Sequence, residues 1–160
     1  MLHIRLFALG RLKEHYLTAG ITEYAKRLQP LCRLQIIELS DEKLPQIMSL
    51  AEIEQIKTRE GQQLLRLLNE QEYLIALDLH GESLSSEQFA AHLDKLALNA
   101  KNDIAFAIGA SLGLSREVLA RANLRLSFGA LTYPHQLMRI LLLEQLYRAF
   151  KINRNEPYHK

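Results

Sequence analysis

The chain has 160 residues, 48% hydrophobic and 24% charged, which excludes intrinsic disorder and suffices for one core in a single domain over residues 1–160. A formal charge of +2 and a pI near 8.7 permit an RNA partner without demanding one. One cysteine, Cys32, excludes an intramolecular disulfide framework, and no stretch reaches membrane-spanning length without a charge.

In chain order, polar and apolar residues alternate over His3–Ala8, the pattern of a first strand. This segment lacks the uninterrupted apolar region and small-residue cleavage site of a signal peptide, so a cytoplasmic protein is expected. Leu17, Ile21, Tyr24 and Leu28 mark one face of a first helix, closed by Pro30. Cys32 opens the apolar strand Leu34–Leu39, where it reads as a small hydrophobe. A polar connection, Ser40–Met48, surrounds Pro45 and leads to a longer helix with Ile53, Ile56, Leu64 and Leu67 on its face.

A third strand, Tyr73–Leu79, runs into Asp78-Leu79-His80-Gly81, read as a glycine-bearing loop. Ser85 and Gln88 form a capping box for a third helix ending near Leu98. The strand Ile104–Ile108 is followed by Gly109-Ala110-Ser111-Leu112-Gly113, and Ser115 caps a fourth helix before the strand Leu124–Phe128. Such alternation predicts an α/β fold with a mostly parallel sheet of about five or six strands flanked by helices. Open sheets of this kind take ligands at the strand C-termini, where both polar loops lie.

The last segment, Leu131–Lys160, reads as a helix greasy on nearly every side and a short polar tail. Leu137, Met138, Ile140, Leu141, Leu142, Leu143, Leu146, Tyr147 and Phe150 surround it, with Arg139, Glu144 and Arg148 as polar interruptions. Such a helix must be covered on more than one side, by a sheet and, on this reading, by a second chain. From Arg139 onward, five basic residues (Arg139, Arg148, Lys151, Arg154, Lys160) oppose Glu144 and Glu156, a local balance of 5 − 2 = +3.

Neither loop is a Rossmann or Walker fingerprint. The second is formally the Gly-x-Ser-x-Gly of a nucleophile elbow, and Ser111, Glu144 and His159 follow the chain order of a hydrolase triad. A small serine hydrolase is therefore the competing reading, opposed by a chain too short for a hydrolase core and its cap. Six scattered histidines without ligand spacing give no metal site. His135 begins the last helix, and Pro157 and Tyr158 are suited to dock the tail that carries His159.

The segments Ala8-Leu9-Gly10-Arg11-Leu12-Lys13-Glu14, Glu23-Tyr24-Ala25-Lys26-Arg27-Leu28, Ile108-Gly109, Leu126-Ser127-Phe128, Thr132-Tyr133-Pro134-His135-Gln136-Leu137-Met138-Arg139, Glu144-Gln145-Leu146-Tyr147-Arg148-Ala149-Phe150 and Pro157-Tyr158-His159-Lys160 carry a resemblance over essentially the whole chain. In order and spacing they resemble the bacterial large-subunit rRNA methyltransferase H family of the SPOUT superfamily. The resemblance implies an S-adenosylmethionine-dependent enzyme that methylates N3 of a pseudouridine in a 23S rRNA stem-loop on the assembled 70S ribosome. It also implies a homodimer, no membrane or DNA partner, and a C-terminal trefoil knot, an exception to the rule against knots.

Carried over by position, the resemblance assigns the cofactor to Leu77, Gly109, Phe128, Gly129, Ala130, Leu131, Thr132 and Tyr133. Its chemistry points to His159 as base, Tyr158 as its positioner, and Arg148 and Arg154 on phosphate or the uracil edge. Ala110 departs from the pattern, since many relatives carry glycine there, which puts the loop conformation in question and leaves a non-catalytic ribosome-associated dimer as a further alternative.

Overall fold

The computed structural model describes residues 1–160. Five strands, β1 (His3–Leu9), β2 (Arg33–Leu39), β3 (Tyr73–Ser83), β4 (Asp103–Ile108) and β5 (Leu124–Ser127), alternate with α1 (His15–Leu28), α2 (Leu50–Leu67), α3 (Ser86–Leu98), α4 (Arg116–Arg121) and α5 (His135–Asn153). All strand pairs are parallel, in the order β2-β1-β4-β3-β5. The expected α/β architecture is present, with five strands.

Period-two side-chain direction divides the core into two layers. Ile4 and Leu6 of β1, Ile75 of β3, and Ile104, Phe106 and Ile108 of β4 pack with Leu28, Phe89, Leu93, Leu142, Leu143 and Leu146 from α1, α3 and α5. The alternate residues Phe7, Leu9, Leu74, Ala76, Ala105 and Ala107 face Leu64 of α2 and Val118 of α4. Each fully buried Leu, Ile or Phe contributes about 1.5–3 kcal/mol by leaving water. Crossovers toward the β2 edge use the α1/α3 face and those toward the β5 edge use the α2/α4 face, so all four share one hand, as parallel connections require.

Local chemistry sets the element ends. Ser85 and Gln88 form the expected reciprocal cap of α3, at 3.1 and 2.8 Å. A second capping box, Ser49 with Glu52, starts α2; the Ser-x-x-Glu pattern was legible but not read from the sequence. Asp78–Gly81 is not the expected loop. It lies within β3, whose pairing to β5 shifts register between Leu77 and Glu82. Gly81 is required there by close approach, because a Cβ would meet the Arg125 carbonyl carbon and oxygen at 2.6 Å. In the other direction, β5 ends one residue early, at Ser127, leaving Phe128 to the following loop.

The many-sided burial of α5 is mostly internal. It lies between α1 and α3 over the sheet, so two helices, beyond the expected sheet, cover it. Arg139, read as a polar interruption, is 1% exposed: it donates to Glu38 Oε2 at 2.7 Å and to the carbonyls of Leu9 and Gly10 at 3.3 and 2.6 Å. Those contacts tie the start of α5 to the end of the interior strand β1. The chain between β5 and α5 thereby crosses the C-terminal ends of β3 and β4. No helix is long and apolar enough to cross a membrane.

Candidate active site

That crossing makes a cleft of about 170 Å³ at the strand C-termini. Leu77 ends the regular part of β3, Gly109 follows β4, and Phe128, Gly129, Leu131, Thr132 and Tyr133 come from the crossing segment. Seven of the eight residues assigned to the cofactor therefore line one cavity. The eighth, Ala130, is exposed and outside the lining. Ile108, Leu126 and Met138 add apolar wall, and Asp78 and His135 add polar groups. Burial lowers the His135 imidazole pKa below its ordinary value, as does the nearby Arg139 cation, so it presents a neutral ring to the cleft.

Gly109 cannot carry a side chain, since a Cβ would lie 2.6 Å from the Gly113 carbonyl carbon. That contact closes the 109–113 turn, in which Gly113 N–H donates to the Ala110 carbonyl at 3.0 Å. Ala110 has no positive φ, so this turn accommodates its methyl. Conversely, nothing lies within 4 Å of a Cβ built on Gly113 or Gly129. These open positions, the apolar walls and the exposed Leu131 at the mouth fit a nucleoside-like ligand with a flat ring.

A second cleft of about 320 Å³ shares Leu126, Phe128 and Gly129 with the first. Its other side is polar, with Ser83, Ser85, Ser86 and Gln145. Ser86 Oγ donates to Gln145 Oε1 at 2.8 Å, and Gln145 Nε2 donates to Glu144 Oε2 at 2.9 Å. One step further along the same chain of bonds lies the tail.

The tail folds back because α5 ends in a Schellman turn, with Asn155 at φ 53° and Glu156 N–H donating to the Lys151 carbonyl at 2.9 Å. Tyr158 then stacks edge-on against Tyr147, centroids 4.9 Å apart, and its hydroxyl donates to Glu144 Oε1 at 3.1 Å. Arg148 donates to the same carboxylate at 2.6 Å and lies 3.0 Å from His159 Nδ1. Burial and the Glu144 carboxylate push the Tyr158 phenol up to about 12, so it remains a donor at neutral pH. His159 Nε2 lies 2.7 Å from Glu87 Oε1, a partner that sequence reasoning missed because it stands 72 residues away. Gln145 was missed as well.

The structure thus brings together His159, Tyr158 and Arg148, but not Arg154. Exposed at the end of α5, Arg154 is 4.0 Å from Glu156 and forms no hydrogen bond with that group. Of the expected local excess of +3, in which Glu144 and Glu156 are already counted, only the Arg139–Glu38 pair removes a further charge, so +3 − 1 = +2 remains, with Arg154 and Lys160 exposed. Nor does the hydrolase triad form within the chain. Both His159 nitrogens face Glu87 and Arg148, Glu144 is held by Arg148, Gln145 and Tyr158, and exposed Ser111 has no hydrogen bond to either residue.

Comparison with known proteins follows the same lines. The family model described as "Predicted SPOUT methyltransferase" matches residues 2–159. The chain is 53% identical to the ribosomal RNA large subunit methyltransferase H of Carboxydothermus hydrogenoformans and 52% identical to that of Clostridium acetobutylicum, covering in each case 99% of this chain and 100% of the relative. A Legionella pneumophila protein solved in complex with the cofactor SAM shares the fold, at a TM-score of 0.50 and 14% identity, over 95% of this chain and 66% of that one. A parallel sheet whose last strand leads back over its neighbours into a glycine-bearing cleft, joined to this full-length likeness, makes the chain a SPOUT methyltransferase of the ribosomal RNA large subunit methyltransferase H family.

Proposed function

We propose that the protein uses S-adenosylmethionine to methylate N3 of a pseudouridine in 23S rRNA on the assembled ribosome, acting as a cytoplasmic homodimer. One observation carries this reading: seven residues assigned to the cofactor by the family resemblance converge on one cleft at the ends of β3, β4 and β5. The relatives' names supply the substrate class. When bound, S-adenosylmethionine supplies an electrophilic methyl group.

The chain's own residues do the rest. Leu77, Gly109, Phe128, Gly129, Leu131, Thr132 and Tyr133 hold the cofactor. The adjoining polar cleft receives the target base, with Ser83, Ser86 and Gln145 offering donors and acceptors to a uracil edge. Orientation of the two ligands across the shared wall supplies up to roughly 7–11 kcal/mol of barrier reduction. His159 accepts the N3 proton, Tyr158 positions the tail, and Arg148 meets the charge left on the base. Arg154, exposed at the end of α5, contacts phosphate.

The homodimer is supported by α5, where Leu137 and Leu141, one turn apart, are half-buried yet belong to neither core layer. The trefoil knot belongs to the same reading, with the crossing segment 128–134 as the threaded part.

The test is incubation with 70S ribosomes lacking the modification and labelled S-adenosylmethionine, followed by mass spectrometry of 23S rRNA fragments. A single N3-methylated pseudouridine is the expected product. Methylation elsewhere, or none alongside clear cofactor binding, would refute the assignment.

A further inference from the structure

His159 is the penultimate residue, yet two elements fix its ring. Arg148 Nη1 lies 3.0 Å from Nδ1. A guanidinium can only donate, so Nδ1 accepts with its lone pair and bears no proton. The ring proton is then on Nε2, which donates to Glu87 Oε1 at 2.7 Å. Glu87 stands in the first turn of α3, behind the Ser85 cap, where unpaired backbone N–H groups favour an anion. Bonds from its own backbone N–H and from His159 hold its carboxyl below the ordinary carboxylate range.

The charged and titratable groups around the ring are Glu87 from α3, Arg148 and Glu144 from α5, and Tyr158 from the tail. Glu144 is already saturated by Arg148, Gln145 and Tyr158, which leaves Glu87 as the one carboxylate bonded to the imidazole. Ser86 and Gln145, which line the polar cleft, immediately adjoin Glu87 and Glu144 in sequence. The ring is not itself in that lining, but hydrogen bonds connect it there through Arg148, Glu144 and Gln145 to Ser86.

We propose that Glu87 is a positioning residue: it anchors the His159 ring through Nε2–H and keeps the ring proton there when Arg148 releases Nδ1, the nitrogen that receives the N3 proton of the target base. This rests on the methyl-transfer reading above. The N3–H bond breaks with its proton passing to Nδ1, the nitrogen pair forms the N–CH3 bond, and the C–S pair stays on sulfur. Arg148 covers Nδ1 at rest and yields it through Nη1 alone, since its Nε and Nη2 remain on Glu144 at 3.1 and 2.6 Å. A carboxylate behind the ring then stabilises the imidazolium, the division of labour found wherever a carboxylate orients a histidine base.

The experiment has two readouts. Long-range proton–nitrogen correlation spectra of histidine-labelled protein, without substrate, report the His159 tautomer, and single-turnover methylation of ribosomes reports the rate. The parent is expected to show the Nε2–H form. Because Arg148 still donates to Nδ1, Glu87→Ala alone should keep the resting Nε2–H form while slowing methylation about tenfold to a hundredfold with cofactor affinity unchanged. In Arg148→Ala protein the Nε2–H form should persist, and adding Glu87→Ala should populate the other tautomer. Glu87→Gln retains a side-chain carbonyl that accepts from Nε2–H, so it should keep the Nε2–H form in the Arg148→Ala background and, by itself, most of the rate. A Glu87→Ala protein that methylates at full rate, or a double variant that keeps the Nε2–H form, overturns the proposal. A parent that methylates no ribosome overturns the methyl-transfer reading itself, which the wild-type control separates from any defect of the variants.

Discussion

Cys32 and His159 show how environment assigns a reactive side chain its task. Burial pushes the Cys32 thiol up to about 12, above an ordinary value of 9.0. Any stability linked to this shift is fully present below pH 9 and is lost as pH rises toward the folded value. The thiol should therefore resist iodoacetamide in native protein at pH 8 and react only as the chain unfolds, which mass spectrometry across a urea series can follow. His159, by contrast, is held at the surface between a cation and an anion. His159→Ala is expected to slow single-turnover methylation about a hundredfold to ten-thousandfold while calorimetry finds cofactor affinity intact; an unchanged rate would remove it as the base. The tail residues were legible from sequence as a group, but their partners were not. Spacing along the chain says nothing of Glu87 meeting His159, and Arg139 looked like an interruption on a greasy helix because its acceptors, Glu38 and two carbonyls of the first strand's end, lie more than a hundred residues away.

Helix ends offer the plainest test of element-level reasoning. Both α3 and α5 close with Schellman turns, and each places a non-glycine residue in the left-handed region: Ala100 at φ 58° and Asn155 at φ 53°. Asparagine tolerates that conformation, whereas alanine pays for its Cβ. Ala100→Gly should therefore stabilise the protein by about 1 kcal/mol, read as a higher urea midpoint at constant slope. Elements whose signal is local were legible, such as the alternation of Ile4 and Leu6 against Phe7 and Leu9, or the Ser85–Gln88 cap. The Asp78–Gly81 segment was not, because glycine serves turns and close backbone approach alike. Only the position of the β5 backbone decides between them, and periodicity does not carry that. The burial of α5 was legible in amount but not in source, since an apolar surface does not say whether a neighbouring helix or a second chain will cover it.

For the whole molecule, Leu137 and Leu141 are what α1 and α3 leave uncovered on α5. Leu141→Glu is expected to convert the proposed dimer to monomer in light scattering and to lower methylation with it, while far-ultraviolet circular dichroism stays native; an unchanged mass would place the interface elsewhere. Strand order was beyond sequence reasoning, because β1 is flanked by β2 and by β4, the latter a hundred residues on. That same pairing bears on how the chain acquires its shape during synthesis. The sheet's middle joint, His3 against Asp103, cannot close until nearly two-thirds of the polypeptide has emerged, and the Arg139 tether to Leu9 and Gly10 must wait longer still. Contacts so distant in sequence lose loop entropy before they return any contact energy, which puts refolding in the slow range of milliseconds to seconds or beyond. Until then the amino-terminal strand has one open edge, a row of unpaired backbone groups on which another chain can add a strand.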